Sequence, residues 1–188
     1  MKKTEIVGFK RANLGKKSSA DLRLEAMVPC VLYGGTEQVH FSAPMILFRD
    51  VLYTPDAYEV TLNIEGTIYK AILQEAQFHP VNDIILHCDF LEITDDKIIK
   101  IEVPIKLVGT ALGQTKGGKM NLKLRKMKLQ GPAKNIPEFV EVSVKDLDLG
   151  RSIKVGAISV EGVKILNSPT NPICSVEIPR ALRGTLTK

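Results

Sequence analysis

The chain has 188 residues, 44% of them apolar and 25% charged, the balance of an ordinary globular protein, which excludes wholesale disorder and fibrous architectures. Lys, Asp, Pro or Gly interrupts every apolar run well short of the roughly 18 residues that a membrane-spanning helix needs, so a soluble protein without a membrane partner is expected. The net charge of +5 is unevenly placed, with +5 on residues 1–23, −8 on 24–94 and +8 on 95–188; this is either the footprint of a polyanionic partner or ordinary solvated charge.

Lys2 and Lys3 look like the start of a signal peptide, but the apolar run Ile6-Val7-Gly8-Phe9 ends in Lys10-Arg11. That run is shorter than the roughly 7–15 residues of a signal core, so no export signal is read. Ser18 or Ser19 predicts the cap of a short helix over Ala20–Ala26, and Pro44 opens another through Leu52. Between them Met27–Gly35 reads as a buried strand ending in Tyr33, Gly34 and Gly35. That end is either a plain turn or an edge where Tyr33 offers a ring for stacking and a hydroxyl for hydrogen bonding. Tyr58–Ile64, then Glu65-Gly66, then Thr67–Leu73 predicts a β-hairpin.

Phe78-His79-Pro80 and Leu86-His87-Cys88-Asp89-Phe90 hold two imidazoles, a thiol and a carboxylate, a set that could bind Zn²⁺ or run acid-base chemistry. On a two-residue period Ile84, Leu86, Cys88 and Phe90 share one face and His87 and Asp89 the other, which separates thiol from imidazole and argues against a metal site. What is left, with Gln74 and Gln77 nearby in sequence, is a donor and acceptor surface without a nucleophile: a recognition surface, or a His-Asp pair that only orders its own loop. The three cysteines, Cys30, Cys88 and Cys174, are far apart and set in apolar sequence, as expected of reduced core thiols.

The sign of the charge changes near Thr94-Asp95-Asp96, and a domain boundary is placed there: 1–94, then 95–182, then a tail at 183–188. A strand with Ile98, Ile99, Ile101, Val103, Ile105 and Leu107 opens the second half. Its further short strands, separated by Gly, Pro and Asn, suggest an antiparallel sandwich or barrel. Gly113–Lys119 has the spacing of a phosphate-binding loop, but Met120 stands where Ser or Thr would hold Mg²⁺ and the flanks read strand to strand, so nucleotide hydrolysis is not expected. Met120–Leu129 alternates apolar and basic residues as one strand, either a phosphate-touching face or a Lys-rich protected edge.

The chain as a whole resembles the bacterial large-subunit ribosomal protein family L-twenty-five, in its longer two-domain form also called general stress protein CTC. The resemblance is carried by Gly15-Lys16, Leu22-Arg23 and Val28-Pro29-Cys30-Val31-Leu32-Tyr33-Gly34, then by Gln77-Phe78-His79-Pro80 and, six residues on, His87-Cys88-Asp89-Phe90. Beyond the boundary Val103-Pro104-Ile105, Gly109, Gly117-Gly118, Asn135-Ile136-Pro137-Glu138, Leu147, Leu149-Gly150 and Ile153 continue it. It implies a mainly β protein: a closed six-stranded barrel with short helices that binds 5S rRNA at its irregular loop E helix, followed by a mostly β domain packed on the ribosome surface. By the same resemblance Arg11, Lys16 and Arg23 would meet the RNA backbone, and Tyr33, Gln77, His79, His87 and Asp89 would lie at or beside the reading surface. The implied partners are 5S rRNA and neighbouring large-subunit ribosomal proteins, in the cytoplasm. No catalytic activity, cofactor, metal, small-molecule substrate or homo-oligomer is expected. The sequence departs from the family pattern at Ala20 and Asp21, where arginines are common, and at Ala26, where Gly is usual.

Overall fold

A computed structural model describes residues 1–94 and 97–179. Asp95 and Asp96, at the expected boundary, and the expected tail 183–188 lie outside the described residues. The fold is mainly β, and Cα packing divides the chain into two compact units. One is Met1–Ile99 with Pro132–Lys134, and the other is Lys100–Gly131 with the chain from Asn135.

In the first unit β1 (Lys2–Lys10), β2 (Met27–Tyr33), β3 (Val39–Pro44), β4 (Tyr58–Ile64), β5 (Thr67–Phe78) and β6 (Ile85–Glu92) close into a barrel in the order β1-β3-β2-β6-β5-β4. Two neighbouring pairs are parallel, β1 with β4 and β2 with β6. The predicted hairpin is β4 and β5, whose turn residues Glu65 and Gly66 both have positive φ, 50° and 90°, as a two-residue primed turn requires. A barrel of this size is filled by its own side chains. Phe90 sits 5.9 Å from Phe41 and 6.2 Å from Phe48, ring centre to ring centre, and all three are fully buried. Cys30, Cys88 and, in the second unit, Cys174 are free and buried.

Two local expectations need correction, and a third is refined. Helix α1 covers Lys16–Leu24 and starts from Gly15 without a side-chain cap, earlier than the serines predict; Ser18 and Ser19 instead turn their hydroxyls back onto the carbonyls of Asn13 and Gly15. On β6 the residue facing the core ahead of Cys88 is Ile85, not Ile84 or Leu86. The cause is a bulge: the β5–β6 register steps from Gln77 opposite His87 to Phe78 opposite Ile85, skipping Leu86, and one extra residue reverses the alternation on its amino-terminal side. The Pro44-initiated segment is a 3-10 turn, Met45–Phe48, running into α2 (Arg49–Tyr53).

Apart from the end residues Ile98, Ile99 and Pro132, β7 (Ile98–Val108), β9 (Lys126–Pro132), β10 (Val140–Ser143) and β12 (Lys164–Ile165) lie in the second unit and form one sheet, in the order β10-β7-β9-β12. A second, three-stranded sheet orders β11 (Ser152–Lys154), β13 (Pro172–Glu177) and β8 (Lys119–Leu122). The first sheet is not wholly antiparallel, because β10 lies parallel to β7. The single strand expected over Met120–Leu129 is two strands in different sheets. Its apolar positions run 120, 122, 124 and then 127, 129, so the two-residue phase slips and the chain breaks where it slips. Before the second glycine pair the chain makes a helical turn, α3 (Leu112–Thr115), rather than continuing a strand.

Candidate nucleic-acid interface

Strand β6 alternates at its centre: Cys88 and Phe90 point into the barrel and Asp89 points out, with His87 also outward. His87 Nδ1 lies 2.6 Å from Asp89 Oδ1, and their side chains are 30% and 29% exposed. The carboxylate therefore takes the Nδ1–H bond, which leaves Nε2 as the ring's other hydrogen-bonding atom. Asp89 registers with Val31 on β2 and with Glu75 on β5, while His87 registers with Gln77. Tyr33 follows Val31 by two residues on β2 and so shares its outward face. Burial, then the negative charges of Asp89 and Glu75, push the Tyr33 phenol above its ordinary value, so at neutral pH it keeps its O–H donor.

Tyr33, Gln77, His87 and Asp89 are thus brought onto one outer face of β2, β6 and β5. His79 stands just beyond β5, where its amide donates to Ile84 O at 2.8 Å and its Nδ1 accepts the Val81 amide at 3.3 Å. That leaves the proton of the neutral ring on Nε2.

The cations are arranged less simply. Arg23, on α1, donates through both Nε and Nη2 to Leu86 O, each at 3.0 Å. Arg11 donates to Ser19 Oγ at 3.0 Å and to Asn13 O at 3.4 Å. Lys16 is exposed at the first residue of α1, about 10 Å along the helix axis from Arg23.

Sequence reasoning missed Glu75. It lies two residues before Gln77, as Asp89 lies two after His87, so pairing the two strands antiparallel would have set the carboxylates opposite each other. Like charges so placed repel, and the face is suited to amino groups that can donate hydrogen bonds to two carboxylates. The bond from Arg23 to a backbone carbonyl had no sequence signal.

Other chemistries find no support in the geometry. The Cys88 thiol is buried in the barrel while His87 faces outward, and among the described residues no group of three or more His, Cys, Asp or Glu converges on a metal-sized site. In the Gly113–Lys119 loop, Gly118 donates its amide to Gly113 O at 2.8 Å and Lys116 pairs with Asp148. A Cβ on either glycine would come within 2.8 Å of Val176. These glycines serve close packing rather than a phosphate cradle.

Residues 6–90 match the Ribosomal L25p family, and residues 98–180 match the C-terminal domain of ribosomal protein TL5. The large ribosomal subunit protein bL25 of Cytophaga hutchinsonii is 48% identical over 97% of this chain and 95% of its own length. That of Amoebophilus asiaticus is 51% identical over 98% and 94%, and that of Porphyromonas gingivalis 43% over 100% and 99%. Since both halves match in order and the relatives align almost end to end, the chain belongs to the bL25 family of ribosomal proteins, in its long two-domain form.

Proposed function

We propose that this chain is a non-catalytic structural component of the large ribosomal subunit in the cytoplasm, and that residues 1–94 bind 5S rRNA at the loop E helix. Tyr33, Gln77, His79, His87 and Asp89 read the RNA, within a frame of cations that includes Arg11, Lys16 and Arg23. Residues 95–182 pack against neighbouring parts of the subunit, ribosomal proteins among them. Membership of a ribosomal protein family supports the coarse role, and the observation that carries the finer one is the His87–Asp89 pair on an outward barrel face with Tyr33 and Gln77 beside it.

The deep major groove of A-form RNA is closed to side chains, whereas its shallow minor groove displays base edges and 2′-hydroxyls. A β face with a phenol, an amide, imidazoles and a carboxylate suits that groove. Cations supply affinity without sequence information, and the neutral and acidic groups select. A carboxylate among phosphates is unfavourable unless it accepts from a base amino group or holds a neighbouring His or Arg in place, as Asp89 holds His87, which makes Asp89 the sharpest test in the set.

The test compares binding of the full-length protein to 5S rRNA and to an unrelated duplex across a salt series. Affinity for 5S rRNA is expected to fall linearly on a log-log salt plot while remaining the stronger of the two. Asp89→Ala and Tyr33→Ala each weaken 5S binding by roughly tenfold or more, the scale of about 1–3 kcal/mol for a base-reading contact, with the thermal midpoint near wild type. Equal affinity for both RNAs, or loss of folding in step with loss of binding, refutes this reading.

A further inference from the structure

Helix α1 has nine residues, none of them buried, and its last apolar side chain, Leu24, is 87% exposed. Isolated helices shorter than about 12–15 residues are marginal in water, and most helices in proteins are held by an apolar face. This one has little apolar face to bury, so other bonds must hold it against β2.

Two guanidinium groups do so, one from each side. Arg11 follows β1, where its amide donates to His40 O on β3 at 3.0 Å, and its Nη2 reaches Ser19 Oγ on α1 at 3.0 Å. The Nε of Arg11 is shut off from solvent with no acceptor, and the residue as a whole is half-buried, so one edge of the guanidinium is turned into the protein. In the opposite direction Arg23, on the helix, gives two hydrogen bonds to Leu86 O. Leu86 is the residue that the β5–β6 register skips, directly before His87, and a charged donor fork suits a carbonyl standing at such a bulge.

We infer that Arg11 and Arg23, counted above in the cationic frame, act within it as positioning residues, a clasp that fixes α1 to the barrel beside His87 and Asp89, and that the cations meeting phosphate are Lys16 and Lys17. The clasp stands on the protein alone; the assignment of the lysines rests on the RNA reading above. Both lysines are exposed at the start of the helix, and the bonds made by the arginines set where that start lies.

Amide hydrogen exchange of the free full-length protein tests the clasp without RNA. Arg11→Ala and Arg23→Ala are expected to speed exchange of the α1 amides by at least about tenfold while the barrel strands and the thermal midpoint hold, the signature of local opening. Lys16→Ala and Lys17→Ala leave that exchange unchanged. With 5S rRNA each lysine variant lowers the salt slope by about 0.7–0.9, the step for one phosphate. Each arginine variant weakens binding at every salt concentration and keeps the wild-type slope.

Unchanged α1 exchange in the arginine variants, or a slope that drops by the same step for them, overturns the inference. If an alanine variant loses the fold, Arg23→Lys decides: it keeps the charge but not the fork, so faster α1 exchange is expected, and full protection with wild-type affinity would refute the clasp. A wild-type protein with no preference for 5S rRNA removes the RNA reading and leaves the exchange result to judge the arginines.

Discussion

Ala26 shows how a single residue carries a cost that its neighbours impose. It follows α1 with φ at +58°, in the left-handed region that a Cβ makes unfavourable by roughly 1–2 kcal/mol. It stays there because its amide bonds back to Arg23 O at 3.2 Å and its carbonyl takes the Met45 amide at 2.9 Å. Glycine, usual at this position in the family that the chain resembles, would remove the strain and add back some entropy to the unfolded chain. Ala26→Gly is therefore expected to stabilise by about 0.5–1 kcal/mol, a rise in thermal midpoint of roughly 2 °C for a protein of this size. A midpoint that falls would mean that the strain is relieved elsewhere.

Among the elements, the turn around α3 and β8 depends on close approach. A Cβ at Gly118 would stand 2.5 Å from the Leu149 and Val176 side chains and 2.6 Å from Gly113 O, and overpacking of this kind costs about 1–3 kcal/mol. Gly118→Ala should lower the urea midpoint accordingly, and an unchanged midpoint would show that the second unit yields easily there. Elements whose information is local were legible in the sequence. The Tyr58–Leu73 hairpin announced itself by alternation around Glu65-Gly66, and the outward pairing of His87 with Asp89 followed from the two-residue period. The break between β8 and β9 was written in the phase slip from Leu124 to Met127, though overall alternation masked it. The bulge at Leu86 was not legible, since it is set by pairing with β5 and by a guanidinium more than sixty residues away in sequence. Nor was the start of α1, because Gly15 gives no side-chain cap. Barrel closure followed from family resemblance rather than pattern, since it depends on the parallel contacts of β1 with β4 and β2 with β6, which no local signal encodes.

Across the whole molecule, two units with separate buried clusters, one around Phe41 and Phe90 and one around Ala111, Val144 and Cys174, need not melt together. Calorimetry is expected to give a total enthalpy larger than the van't Hoff value, and equality of the two would mean one cooperative unit. Charge is divided as well: residues 1–94 carry a net −3, so under the proposed function RNA would be drawn by a few well-placed cations rather than by a general field. The strand order adds a constraint on timing. β6 is the last of the six barrel strands to leave the synthesising ribosome, and it is inserted between β2 and β5, which are already made. Until it arrives, Tyr33 and Gln77 flank an open seam and the imidazole and carboxylate that belong between them are absent. Under the proposed function, a nascent chain of this protein consequently has no finished surface with which to seize RNA prematurely; competence for that partner would come only with the final staple of the cylinder.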